Sequence, residues 1–356
     1  MSTTITGGPF QISGAALTIT TGQFIPPTPP TPPAGPINFV AFNLSNTATS
    51  SDGTTWTANT TPVPLGPVVS AANIFLGIDS SNHRSYTSTD GSTWTTSGSL
   101  PTPANSGSWT ALTYSGSQYV ALSSNVTAAT SPDGATWTSR TLPALPASPG
   151  YPATGSLYWA SVAYGNSRYV AISSRFNWAS FPNTGTTTAA TSSDGVTWTL
   201  NTGLPNPTSY DGVEWSGVAY GNGVFVATQI GINGVEYHNI VATSTDGNTW
   251  TSQNTGGSYG DQCSSVAYGS NVFVITGQNY GTGIIYYSTD KGATWQVPTF
   301  SSWYDYSSPT VTYAQGKFVI VISNLGTGLV STDGITWTTT TLPSSSGYNY
   351  LAGRNA

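Results

Sequence analysis

Ser192–Trp198 reads "SSDGVTW". The same wording recurs as Ser50–Trp56 "SSDGTTW", Ser88–Trp94 "STDGSTW", Ser131–Trp137 "SPDGATW", Ser244–Trp250 "STDGNTW", Ser288–Trp295 "STDKGATW" and Ser331–Trp337 "STDGITW". The aspartates fall at 52, 90, 133, 194, 246, 290 and 333, so the separations are 38, 43, 61, 52, 44 and 43 residues. A repeat near 40–45 residues with strand-like content reads as propeller blades, one four-stranded sheet per repeat. Within the box, an Asp side chain accepts hydrogen bonds from backbone N–H groups just downstream and fixes a turn. The Gly supplies the positive φ that the turn needs. The Trp is a large apolar plug suited to the space between neighbouring sheets.

Outward from the box, a second element precedes it. "SVAYGNSRYVAISS" from Ser161, "GVAYGNGVFVATQ" from Gly217 and "SVAYGSNVFVITG" from Ser265 each pair two apolar runs across a Gly/Asn turn. That is a hairpin signal. One blade is then strand A (162–164), strand B (169–172), a variable loop, strand C (189–192), the box turn and strand D (197–200). The first repeat has no strand A before Ile37, and "GYNYLAGRNA", Gly347–Ala356, aligns with one. The C-terminus is therefore expected to complete blade one, closing an all-β, seven-bladed ring over residues 37–356 without a large unpaired sheet edge.

The box resembles the Asp-box, or BNR, repeat of sialidase-like propellers, whose pattern is Ser-x-Asp-x-Gly-x-Thr-Trp. Only Ser288–Trp295 has the full length; the other six copies lack one residue between Asp and Gly. The resemblance implies the fold and leaves the activity open. The box residues Asp52, Asp90, Asp133, Asp194, Asp246, Asp290 and Asp333, with Trp56, Trp94, Trp137, Trp198, Trp250, Trp295 and Trp337, are read as frame. One carboxylate per box is too few oxygens for a calcium ion, which takes 6–8, so no metal or other cofactor is expected.

Composition narrows the partners. Charged residues are 6% of the 356, with seven Lys and Arg against thirteen Asp and Glu, giving a net charge of −6. Such a chain cannot neutralise a row of phosphates, so nucleic acid and anionic membrane surfaces are disfavoured. No apolar run is long enough to span a bilayer. The opening "MSTTITGGPFQ" shows neither the basic nor the apolar region of a secretory leader. Twelve Trp and twenty Tyr argue against disorder, and forty Gly with twenty-four Pro argue for many turns. The single cysteine, Cys263, reads as a small buried apolar residue.

If the boxes occupy one face, the variation lies on the other. Its D–A loops read "TSYDGVEW" (Thr208–Trp215), "GGSYGDQC" (Gly256–Cys263) and "SSWYDYSS" (Ser301–Ser308), and its B–C loops include "SSRFNWASFPNTG" (Ser173–Gly185), "QIGINGVEYHN" (Gln229–Asn239) and "TGQNYGTG" (Thr276–Gly283). Aromatic rings beside Asp and Asn suit sugars, a ring stacking on a pyranose while polar groups take its hydroxyls. The glycan-binding candidates are Trp178, Tyr210, Asp211, Trp215, Tyr259, Asp261, Trp303, Tyr304 and Asp305. Against this, Trp109, Trp159 and Trp215 each stand five residues before a strand-A Tyr, a register that points to blade packing.

Catalysis finds little support. A sialidase needs converging arginines, whereas Arg84, Arg140, Arg168, Arg175 and Arg354 scatter over both faces. A glycosidase needs two carboxyls roughly 5–9 Å apart, and Asp211, Glu214, Glu236 and Asp261 are the acids placed to supply them. His83 and His238 lack zinc spacing.

Residues 1–25 alternate Ile/Thr and Phe/Ile as two short strands, and residues 26–36, "PPTPPTPPAGP", read as a polyproline II spacer. So short an arm needs a partner to bury its apolar residues. The plan of anchor, neck and Ser/Thr/Gly-rich β head resembles bacteriophage virion appendages. It implies a virion-surface protein docked on other virion proteins, or on copies of itself, through residues 1–25. Its head would bind host-surface glycans without catalysis. A purely structural decoration protein, an extracellular or cell-surface protein, and a glycan-degrading enzyme are the alternatives.

Overall fold

The computed structural model describes residues 19–20, 23–24, 36–42, 46–60, 65–71, 73–146, 157–175, 188–205, 213–231, 240–258, 260–300, 302–306, 308–343 and 348–354. The chain divides into two units, Met1–Gly35 and Pro36–Ala356. In the first, Ile19–Thr20 pairs antiparallel with Gln23–Phe24. The second is a seven-bladed β-propeller, and no α-helix occurs among the described residues.

Blade one is completed from the C-terminus: Tyr350–Gly353 pairs antiparallel with Phe39–Phe42, which continues into Asn46–Ser50 and Thr57–Thr60. Blade two is Val68–Ala71, Ile74–Asp79, Arg84–Ser88 and Thr95–Ser99. Blade three is Trp109–Tyr114, Tyr119–Ser123, Thr127–Ser131 and Thr138–Thr141. Blade four is Leu157–Gly165, Arg168–Arg175, Ala189–Ser192 and Thr199–Asn201. Blade five is Val213–Gly221, Val224–Gly231, Ile240–Ser244 and Thr251–Asn254. Blade six is Asp261–Gly269, Val272–Asn279 and Thr282–Ser288; blade seven is Thr310–Ala314, Lys317–Ile322, Thr327–Ser331 and Thr338–Thr341. Strands A to D below follow these orders, with Tyr350–Gly353 as strand A of blade one.

Two details differ from the sequence expectation. The outer strand of blade six shrinks to one bridge, Tyr287 with Gln296, because Pro298 two residues on has no N–H to continue a ladder. Thr276–Gly283, expected as a loop, continues the hairpin: Asn279 pairs with Thr282 across Tyr280 and Gly281. Both turn residues have positive φ, 47° and 88°, the requirement of a two-residue hairpin turn that follows the sheet twist.

The core lies between blades. Seven buried clusters each combine side chains of two adjacent blades. Strand B of blade four shows how. Tyr169 and Ala171 face blade three, while Val170 and Ile172 face blade five. Period-two alternation thus feeds two interfaces at once, which is why Tyr169–Ile172 at the middle of strand B is a continuous apolar run.

The box does what its residues dictate. Ser192 Oγ donates to Asp194 Oδ1 at 2.9 Å and accepts from Gly195 N at 2.8 Å. Asp194 Oδ1 also accepts from Val196 N and Thr197 N, both at 2.8 Å. Gly195 stands at φ 70°, and Trp198 Nε1 donates to its carbonyl at 3.1 Å. In the longer blade-six box the extra residue, Lys291, takes a second positive φ of 65°, and Asp290 still caps Thr294 N at 2.9 Å. The tryptophans reach the interfaces: Trp94 meets Phe42 of blade one edge-on at 5.2 Å.

Long polar side chains at strand-B starts tie each box to the preceding blade. Gln118 Nε2 donates to Asp194 O at 3.0 Å, Arg168 Nη1 to Asp246 O at 2.9 Å, and Lys317 Nζ to Asp52 O at 2.8 Å. Arg354 Nη2 reaches Thr89 O at 2.9 Å with its guanidinium 4.4 Å from the Phe75 ring centroid.

Candidate ligand-binding site

Three long A strands share an irregularity. Register breaks between Trp109 and Ala111, between Trp215 and Gly217, and between Cys263 and Ser265. The residue left unpaired at each bulge, Thr110, Ser216 or Ser264, turns its hydroxyl to the next blade. Thr110 Oγ1 donates to Trp159 O at 2.6 Å, Ser216 Oγ to Cys263 O at 2.8 Å and Ser264 Oγ to Pro309 O at 2.7 Å. Blade two has Gly66 near the corresponding place, and Ser80 fills in: a Cβ on Gly66 would stand 2.7 Å from Ser80 Oγ, which donates to Trp109 O at 2.8 Å. In blade four the bulged residue is Ala160, and no hydroxyl is available there.

These residues surround a cavity of about 450 Å³, within the usual range for small-molecule sites. Ser80, Thr110, Ala160, Ser216 and Ser264 line it from blades two to six, and Ser308 and Tyr350 complete the wall. Trp109 and Ile230 add apolar surface. A hydroxyl carries one donor and two acceptor sites. The donors of four wall residues, Ser80, Thr110, Ser216 and Ser264, are committed to carbonyls, so these four present acceptors. Among the described residues, no charged one lines this cavity. It suits a neutral ligand that brings its own hydroxyl protons.

A second feature of the propeller is an aromatic patch. Tyr304 is 62% exposed, Tyr306 68% and Tyr280 55%. Tyr304 and Tyr306 meet at 5.4 Å between centroids with planes at 81°, and their hydroxyls are 2.6 Å apart. That hydrogen bond holds the Tyr304 phenol above its ordinary pKa.

The sequence-expected ligand residues divide. Trp178, Tyr210, Asp211 and Tyr259 lie outside the described residues, as do Glu236 and His238, and the side chain of Glu214 is not described. Trp215 is fully buried between blades four and five, as are Trp109 and Trp159 at their own interfaces. Trp303, expected at the surface, is 8% exposed. Its ring packs where a Cβ on Gly283 would be, 1.9 Å from Trp303 Cε2. Asp261 is an interior acceptor. It takes hydrogen bonds from Tyr286 Oη, from Asn279 Nδ2 at 2.5 Å and from Ser258 N at 2.9 Å. Burial and the bond to Asp261 push the Tyr286 phenol far up. Asp305 is 7% exposed and accepts from Asn324 N at 3.2 Å and Nδ2 at 3.1 Å. Of the described candidates only Tyr304 faces solvent; Tyr280, Tyr306 and the bulge hydroxyls were not singled out. Tyr306 was visible in "WYDY", where alternation puts Tyr304 and Tyr306 on one side.

Among the described residues no group of three His, Cys, Asp or Glu could hold a metal ion. Burial pushes the Cys263 thiol far up, which suits an inert core residue. The cations sit elsewhere: Arg168, Arg354 and Lys317 serve the boxes, and Arg140 Nε bonds Thr130 Oγ1 at 3.0 Å.

No family model and no curated protein matches the chain. Solved structures do. Virginiamycin B lyase from Staphylococcus aureus superposes at TM-score 0.56 and 12% identity, over 86% of this chain and 89% of that one. YCF48 bound to a D1 peptide gives 0.50 and 14%, over 88% of each chain. The Hadza microbial sialidase Hz136 gives 0.49 and 16%, over 67% of this chain and 59% of that one. Proteins with such different names share the architecture, so what these likenesses establish is the β-propeller fold.

Proposed function

We propose that the chain is a non-catalytic binding head for neutral, hydroxyl-rich glycans, carried on a virion surface. One observation carries the binding half: a cavity on the propeller whose wall offers hydroxyl groups and apolar surface and, among the described residues, holds no carboxylate, imidazole or cation. General acid–base chemistry needs a titratable group within hydrogen-bond reach of the reacting atoms; among the described residues this wall offers only the phenols of Tyr158 and Tyr350, and burial pushes that of Tyr350 up. Recognition of an acidic sugar needs a cationic partner, and among the described residues this wall has no Arg or Lys. The two acids that the sequence offered and the structure describes, Asp261 and Asp305, are engaged internally. The virion half rests on the sequence plan, a short arm and a Pro-rich neck before the head.

The test is a glycan array probed with the full chain, each hit then incubated and analysed for cleavage. Binding of neutral glycans without cleavage is the expected result. Cleavage of a bound glycan would return the enzyme reading. Absence of binding to every glycan, with the fold verified by circular dichroism, would move the reading to a structural decoration role. For the arm, deleting residues 1–36 is expected to abolish incorporation into particles and leave the propeller folded.

A further inference from the structure

The tyrosine patch sits on a scaffold stiffer than its loop position suggests. Residues 303–306 alternate inward and outward: Trp303 and Asp305 are buried, Tyr304 and Tyr306 exposed. Both inward side chains are fixed, Trp303 against Gly283 and Asp305 on Asn324. The backbone is fixed too. Gly283 N donates to Trp303 O at 3.0 Å and Asp305 N to Gly281 O at 2.6 Å, so the segment joins the blade-six hairpin as a short edge. A side chain at Gly281 would touch both rings, its Cβ lying 3.1 Å from Tyr304 Cζ and 3.2 Å from Tyr306 Cε2. Glycine keeps that approach open. Tyr280, the other turn residue, sets its ring over Gly260, where a Cβ would stand 2.5 Å from Tyr280 Cε2.

The patch adjoins the cavity along the chain. Ser308 lines the cavity and follows Tyr306 by two residues, so their backbones are within about 7 Å. A ligand filling only the cavity would leave three pre-positioned tyrosines unused. Exposed, rigid aromatics cost little conformational entropy on binding and offer π-faces to the C–H face of a pyranose.

We infer that the cavity and the Tyr280–Tyr304–Tyr306 platform form one extended site, whose occupant is a linear neutral polysaccharide with one sugar in the cavity and its neighbours across the tyrosines. This rests on the glycan-binding reading above and adds to it. The ligand is a chain rather than a single terminal sugar, and it is uncharged along its length, because among the described residues neither the cavity wall nor the three platform tyrosines bring a cation.

The test uses the full chain with ladders of gluco-, manno- and galacto-oligosaccharides from monomer to hexamer, and a polyuronate ladder as the anionic control. Binding is followed by titration calorimetry. Affinity for one neutral ladder is expected to rise about tenfold or more with length. The double variant Tyr304→Ala/Tyr306→Ala should erase that rise and leave the monomer unchanged, and Tyr304→Phe/Tyr306→Phe should keep it, since the rings carry the contact. Both side chains are exposed, so neither variant disturbs the core. Monomer and hexamer binding alike would overturn the inference while leaving the glycan reading intact. So would a length dependence that survives the double Ala variant, or tighter binding of polyuronate. No binding by any ladder would overturn both.

Discussion

Acid should dismantle this propeller through its boxes. In each of the seven, the carboxylate accepts backbone N–H groups and a Ser hydroxyl, bonds that favour the charged form. For Asp90, partial burial pushes the carboxyl up, and the N–H groups of Thr93 and Ser92 with the Ser88 hydroxyl outweigh it, giving about 2 against an ordinary 3.8. For Asp133 the N–H groups of Thr136 and Ala135 dominate, and the value is again about 2. Asp52, Asp194, Asp246, Asp290 and Asp333 are lowered as well. A depressed folded-state pKa contributes stability that is complete above the unfolded value and is lost as pH falls through the folded one. Unscreened, a drop of this size is worth ~2.5 kcal/mol. The box carboxylates are open to water, and about a third of that, ~0.8 kcal/mol, is the share to expect after screening. The other boxes are shifted in the same direction, so the seven lose stability together as the pH falls. Urea midpoints measured from pH 6 down to 2 should be flat above about pH 5 and fall steeply between about 4 and 2. Asp194→Asn should lose about 1 kcal/mol at neutral pH and show a shallower acid limb, by one proton. A midpoint that stays level to about pH 2, or an Asn variant with an undiminished slope, would refute this account.

Four further outcomes follow from the same geometry. Ala160→Ser supplies the hydroxyl that blade four lacks, opposite the Trp215 carbonyl, and should raise stability by about 1 kcal/mol. Thr110→Val removes the 2.6 Å bond to Trp159 O and should cost about 1 kcal/mol; paired urea titrations of the two variants read both. Cys263 is buried with its thiol pushed up, so a thiol reagent should label it only in denaturant, at the rate of unfolding. Deleting residues 348–356 removes strand A of blade one and the buried Tyr348, Leu351 and Ala352; a broad, non-cooperative melt at much lower temperature is the expected result.

The frame was legible in the sequence because each box is self-contained. Ser, Asp and Gly close their turn with bonds spanning two or three residues, and local chemistry is what a sequence displays. Ring closure was legible for the same reason, since "GYNYLAGRNA" carries the strand-A pattern that the first repeat lacks. The wall of the cavity was not. Thr110, Ser216 and Ser264 are ordinary strand residues until a bulge frees them and a carbonyl 45–49 positions away accepts their protons. Acids misled in the opposite direction. Asp261 and Asp305 look available beside aromatic residues in the sequence, and only the fold shows that Tyr286 and Asn324 are placed to occupy them. Trp303 left the register of the packing tryptophans and was still buried, because Gly283 on the neighbouring hairpin makes room for its ring.

A ring of equivalent blades has a further consequence for where recognition can reside. A feature present in every blade presents its group around the whole axis and cannot distinguish one orientation of a ligand from another. Specificity therefore has to come from places where the repeat breaks. Several such breaks surround the cavity: Gly66 replaced by the reach of Ser80, Ala160 without a hydroxyl, and blade seven without the bulge of blades three to six. A fourth break adds the aromatic platform, where the outer strand of blade six gives way and residues 303–305 cross onto its hairpin. The boxes vary least because each must close the same turn. The cavity wall and the tyrosines break the repeat, and in a propeller only such asymmetry can tell one end of a ligand from the other.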